Sequence, residues 1–313
     1  MDWKFTLVGL LIGVLVGATG MGGGSLMTPI LVLLMGFSPS VAIGTDILHG
    51  AVFKSFGAWR HHRMGTVNLQ VVKWMLLGSA PMSLLGVAFA SWLERHYGKG
   101  IQDTQKQILG GALVICGLGF LIKALMRYRA PGGPLVLDRR GKLIGIGIGL
   151  LGGFVVGLTS VGSGTFFGLA LLVIFPIATS VVVGTDILHA ALLLWVAGIG
   201  HFVAGNVDLH ATGWLLLGSI PGVLLGSHIM IRLPDRALRM SLATTLCLSG
   251  YKLVNGPYGS EVVVAGLCAM AAVLAAYAVV VLRARRAERA DAAEAALRRQ
   301  QAGQPTPASA PVR

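Results

Sequence analysis

The hexapeptide Gly44-Thr45-Asp46-Ile47-Leu48-His49 recurs letter for letter as Gly184-Thr185-Asp186-Ile187-Leu188-His189. The 140-residue offset that superimposes them extends without a gap from Gly17–Gly86 onto Gly157–Gly226, with 27 of 70 positions identical. Further down, Gly78-Ser79-Ala80-Pro81 returns as Gly218-Ser219-Ile220-Pro221. The chain is therefore two copies of one unit, and any reading of one copy must also serve the other.

Composition fixes the solvent of that unit. Of 313 residues, 55% are hydrophobic and 12% charged, with a mean hydropathy of +0.78; soluble domains carry about 25% charged residues. Half the usual charge cannot cover a water-facing surface of this size, which excludes a soluble enzyme, a nucleic-acid-binding domain and a disordered chain. The net charge of +13 does not point to nucleic acid, because it is concentrated beside long apolar segments, in residues 123–142 and 283–313. Basic flanks of that kind mark the cytoplasmic ends of membrane helices. Cys116, Cys247 and Cys268 all lie within apolar runs and form no CxxC pair, so neither a disulfide framework nor a metal site is expected.

Apolar blocks cover roughly 4–36, 39–59, 69–93 and 107–127 in the first copy. Their counterparts are 143–178, 180–203, 211–231 and 236–254. The last three of each set are near the ~20 residues that cross a bilayer. The first is far longer and is broken at its centre by Gly17–Ser25 in one copy and Gly157–Thr165 in the other. A kinked single crossing and a re-entrant hairpin both fit such a break. Charge decides between them. Only the hairpin puts the basic linker 128–142 and the arginine clusters at 232–239 and 283–286 on one side of the membrane. It leaves three full crossings per copy, an odd number, so the copies are inverted, as in secondary transporters.

The expected fold is thus an all-α polytopic membrane protein of two inverted repeats. Each repeat has a re-entrant glycine-rich hairpin and three transmembrane helices, and one extra helix follows. The expected divisions are a first repeat at 1–127, a basic cytoplasmic linker at 128–142 and a second repeat at 143–254. An additional helix at 255–283 and a basic, partly disordered cytoplasmic tail at 284–313 complete the chain. The N-terminus is expected outside and the C-terminus inside.

Two sets of residues stand out. Asp46 and Asp186 are the only acids of the twelve embedded in apolar sequence, and an ionisable group at membrane depth is a functional candidate by default. Thr45, His49, Thr185 and His189 accompany them on the same helices. This group either couples transport to protons or organises the site by accepting hydrogen bonds from the hairpin backbone. The second set is the hairpin tips: Thr19, Gly20, Gly22, Gly23, Gly24 and Ser25 in the first copy, Thr159, Ser160, Gly162, Ser163, Gly164 and Thr165 in the second. Half-helices starting at such a break point free N–H groups and a positive dipole end outward, and hydroxyls add donors, a combination suited to anions. No Arg or Lys lies within the tips, so neutral dipoles are expected to hold the anion. Lys54, which is Leu194 in the second copy, reads as a side chain snorkelling toward the cytoplasmic edge near Arg60 in preference to a counter-ion role. His61 and His201 are expected at the membrane interface.

The two glycine hairpins, Thr28-Pro29 and the paired Gly-Thr-Asp elements together resemble the TauE/SafE family of sulfite-exporter-like transporters, over roughly residues 5–280. The resemblance implies an inner-membrane carrier of sulfite, organosulfonates or related sulfur-containing anions. No cofactor, metal, catalytic residue or nucleic-acid partner is expected; the partners are a small anionic substrate, the lipid bilayer and, on the coupling reading, protons. The alternatives are an intramembrane phosphatase-like enzyme and a divalent-metal permease. The first would want embedded glutamates and basic phosphate ligands, and the second more embedded Asp, Glu and His than one pair per half.

Overall fold

The computed structural model describes residues 3–19, 24–125, 137–164, 166–230 and 235–254. By its contacts the chain divides into Met1–Gly266 and Leu267–Arg313, and every described residue belongs to the first unit. The helix expected at 255–283, the tail at 284–313 and most of the 128–142 linker lie outside the described residues.

The described residues form helices joined by short turns, with no strand among them. The first repeat contains α1 (Trp3–Thr19), α2 (Gly24–Leu33), α3 (Pro39–Arg63), α4 (Leu69–Tyr97) and α5 (Gln102–Leu125). The second contains α6 (Arg139–Thr159), α7 (Phe166–Ile174), α8 (Thr179–Val203), α9 (Leu209–Met230) and α10 (Asp235–Leu253). The second long apolar block is broken where its glycines predict, into α6 and α7, while in the first block α1 and α2 flank residues 20–23, which lie outside the described residues. Several boundaries differ from hydropathy, and α6 starts at Arg139, inside the expected linker. Asp138 caps it by accepting a hydrogen bond from Gly141 N at 2.7 Å, a start signal that an apolar-block reading passes over.

Local rules repeat with the sequence. After α3, Thr66 N donates to His61 O and Gly65 N to His62 O; after α8, Asn206 N donates to His201 O and Gly205 N to Phe202 O. These paired bonds close both helices on a glycine with positive φ, +67° at Gly65 and +80° at Gly205. Asn68 and Asp208 then start the next helices, accepting from Val71 N at 3.1 Å and Ala211 N at 2.9 Å.

Packing joins each element to the opposite repeat. Gly149 and Gly153 of α6 lie directly against the Met75 and Ser79 backbone of α4. Their equivalents Gly9 and Gly13 of α1 lie against Leu215 and Ser219 of α9. Without a hydrophobic drive between helices in lipid, close approach through small residues is what holds such pairs. The direction of each pair follows from its register. Along α4 and α6 both residue numbers rise together, from Met75 against Gly149 to Ser83 against Gly157. The same holds for α1 and α9, so both pairs are parallel. Between α3 and α8 the numbers oppose, Gly44 meeting His201, Gly50 meeting Leu194 and Gly57 meeting Ile187. Gly110 and Gly250 likewise pack on each other in an antiparallel α5–α10 pair.

Helices α4, α6 and most of α8 are long and apolar enough to cross a membrane. Leu77, Leu84 and Leu85 of α4 and their equivalents Leu217, Leu224 and Leu225 of α9 all point outward. An apolar exterior on both repeats is what lipid, not water, covers. Trp3, Trp59 and Trp92 are exposed near helix ends, as an interfacial aromatic belt requires.

Candidate functional site

Asp46 is 1% exposed, two turns into α3. Its Oδ2 accepts two hydroxyl hydrogen bonds, from Thr28 of α2 at 2.5 Å and from Ser160 at 2.7 Å. Thr28 belongs to the first broken block and Ser160 to the second, so one carboxylate oxygen ties both repeats together. Among the described residues, the other oxygen, Oδ1, has no hydrogen-bond partner.

The chain between α6 and α7 is shaped to reach this acid. Ser160 ends α6 in the left-handed region at φ 62°, and Gly162 and Gly164 follow at φ +111° and +110°. Two glycines take that conformation freely, whereas a serine there is uncommon. Its Oγ bond to Asp46 offsets the cost. Thr159, 2% exposed, donates to Val155 O and accepts from Val161 N, so it stiffens the turn rather than lining an opening.

Lys54 corrects the sequence reading. It is 3% exposed, the one buried lysine or arginine among the described residues, and it does not snorkel. Its Nζ donates to Ser163 O at 2.8 Å and to Ser163 Oγ at 3.0 Å. The second tip, which has no basic residue of its own, therefore receives one from α3. The acids of both repeats feel this charge, Asp186 and Asp46 each acting on it. Sequence spacing could not reveal the contact, because Lys54 and Ser163 are 109 residues apart. The one available signal was that Lys54 has an apolar repeat equivalent.

The histidines pair across the repeats instead of facing the tips with their acids. His49 Nε2 shares a hydrogen bond with Ser219 Oγ at 2.9 Å, and His189 Nε2 shares one with Ser79 Oγ at the same distance. His49 stacks on Phe53, and His189 meets Phe167 edge to face at 4.4 Å between ring centres. Thr45 and Thr185 are also cross-repeat ties: their hydroxyls accept from Asp208 N at 3.0 Å and Asn68 N at 2.9 Å. His201, expected at the interface, is fully buried and donates to Gly157 O at 2.9 Å. Its equivalent His61 is half-buried and pairs with Thr66 Oγ1. Asp186 is 6% exposed on α8. Gly20, Gly22, Gly23 and Thr165 fall outside the described residues. Thr19 ends α1 and Gly24 and Ser25 begin α2, so they flank the first break as the sequence places them.

A buried polar cluster built where α2, α3 and the turn between α6 and α7 meet, inside an apolar helical bundle with a lipid-suited exterior, fits a multi-pass membrane transporter. The chain belongs to the sulfite exporter TauE/SafE family, whose model matches residues 5–253. It is 38% identical over 256 residues to YjnA of Bacillus subtilis, named as a probable membrane transporter protein, covering 81% of this chain and all of that one. It is 24% identical over 253 residues to YdhB of the same organism, covering 79% and 98%, and 24% identical over 252 residues to YfcA of Escherichia coli, covering 77% and 86%. Both are likewise named as probable membrane transporter proteins. No solved structure matches the chain.

Proposed function

We propose that this transporter moves small anions, sulfite and organosulfonates in particular, across the inner membrane by alternating access between two inverted repeats. Helix direction supports the inversion. Helices α3 and α8 occupy equivalent positions in the two repeats and run antiparallel, and so do α5 and α10. Re-entry follows the same logic. Helix α1 is parallel to α9, and α9 is parallel to α3, since Thr45 meets Asp208 and His49 meets Ser219. With α1 and α3 parallel, α2 must lead the chain back to the side where α1 began. Helix α2 has only 10 residues, about 15 Å at 1.5 Å per residue, too short to cross a bilayer, which supports a re-entrant path.

The second turn meets α3 at Asp46 and Lys54, on either side of the middle of that 25-residue helix. This placement of a hydroxyl-rich turn at half depth is the observation that carries the reading. An anion there is met by Ser163, the glycine amides and the positive end of α7. The family description supplies the substrate class. Asp46 organises the turn through Oδ2 and offers Oδ1 as a place for a coupled proton. The positive-inside pattern puts the linker and the C-terminus in the cytoplasm.

Purified protein in liposomes should carry radiolabelled sulfite in a saturable manner, with organosulfonates competing. Sulfite flux no greater than that of protein-free vesicles would refute this substrate class.

A further inference from the structure

We infer that the chain binds one anion, not two, and that the Lys54 ammonium is the charge that recognises it, at Ser163 in the second turn. The inference rests on the anion-carrier reading above and narrows it to one half of the molecule.

The ties that follow the repeat symmetry are structural. His49–Ser219 matches His189–Ser79, Thr45–Asp208 matches Thr185–Asn68, and Gly110 and Gly250 meet each other. The side-chain bonds of the polar cluster among the described residues do not follow that symmetry. Thr28, Lys54, Ser160 and Ser163 correspond to Gly168, Leu194, Gly20 and Gly23. None of these four equivalents carries a polar side chain. The hydroxyls and the ammonium are therefore concentrated in one cluster made by α2, α3 and the second turn.

Burial says what the lysine is for. Placing an ammonium at membrane depth costs about 2.5–3.5 kcal/mol on insertion scales, and in the absence of substrate the Ser163 oxygens and the charges of Asp186 and Asp46 hold it there. Leu194 fills the equivalent position at 1% exposure, so the helix packing has no need of a charge. Lys54 also keeps capacity: of its three N–H donors, two are used among the described residues, both on Ser163. An anion arriving at Ser163 meets the remaining donor and the full positive charge. The Asp46 carboxyl, bare at Oδ1 among the described residues, stands in the same cluster. Its charge, with that of Asp186, holds the ammonium while no substrate is present, and its protonation removes a repulsion when the anion enters.

The test is isothermal titration of the purified full-length protein with sodium sulfite and, separately, with 2-hydroxyethanesulfonate. Wild type is expected to bind one anion per chain. Lys54→Arg, which keeps the charge, should bind within about tenfold of wild type. Lys54→Gln and Lys54→Met should weaken binding about thirty- to a hundredfold, within the range for losing a charged hydrogen bond, while melting close to wild type. Unchanged affinity in either neutral variant overturns the role of Lys54 and leaves the anion-carrier reading standing. Two equivalent anions per wild-type chain overturns the single site in the same way, and does so even if the neutral variants fail to fold. Wild-type protein that binds neither anion overturns both.

Discussion

Replacing Gly153 with alanine tests the packing that joins the repeats. A Cβ at Gly153 would sit 2.5 Å from Ser79 Cα and 2.8 Å from its carbonyl carbon, and would also meet the Ser79 carbonyl oxygen. Ordinary contact begins at 3.4 Å, so α4 and α6 must separate by about 1 Å, at a cost of about 1–3 kcal/mol for overpacking. Ser79 cannot move freely, because its hydroxyl holds His189 Nε2 at 2.9 Å. Losing that buried bond adds about 1 kcal/mol. Gly147, on the same helix, has nothing within 4 Å of a built Cβ and supplies the control. Both substitutions gain the same ~0.5–1 kcal/mol of helix preference for alanine over glycine. Their difference therefore isolates packing, at about 2–4 kcal/mol in favour of Gly147→Ala. Unfolding by SDS titration in mixed micelles, followed by tryptophan fluorescence, measures it. If the two variants unfold at the same SDS fraction, the close α4–α6 contact is wrong, and the repeat-to-repeat register built on it falls with it.

Two further outcomes follow from the site and from the direction of the helices. Asp46→Asn keeps an acceptor oxygen for Thr28 and Ser160 but cannot carry a proton; it should fold, and in proteoliposomes should lose pH-driven sulfite accumulation while exchange at equal pH survives. Retained pH-driven accumulation would leave Asp46 with a purely organising role. A single cysteine introduced at Val207, in a background lacking the native cysteines, should react with a membrane-impermeant maleimide from outside intact cells, and labelling only after permeabilisation would rule out the inverted arrangement.

Much of the frame was legible because it is written twice. The broken blocks, the paired glycine turns after α3 and α8 and the burial of Asp46 and Asp186 all follow from local rules that a repeat lets one check against itself. Contacts between the repeats were not legible. His49 and His189 sit one turn from their acids, and helical spacing groups each pair on one face. Yet each histidine is taken by a serine 170 or 110 residues away. Lys54 was misread for a related reason. A lone lysine near the cytoplasmic end of an apolar segment snorkels unless something at membrane depth accepts its hydrogen bonds, and only the folded second turn brings Ser163 there.

The asymmetry of the cluster has a physical reason in the packing of α3 on α8. Leu194 lies against Gly50, its nearest side-chain atom 3.1 Å from where a Cβ would be, and Gly50 is one turn before Lys54 on α3. A lysine at 194, as strict symmetry would require, would bring a second ammonium to the same stretch of α3. Two like charges there would repel in a low-dielectric interior and would compete for the same acceptors. A symmetric pair of anion sites built on these two helices would therefore weaken itself. One half must carry the charge and the other must fill the space with an apolar side chain, as Leu194 does. On this argument the repeat supplies two matched sets of cross-repeat ties, but only one seat for the anion. Alternating access then needs nothing more, since a single seat at half depth can be reached from either side.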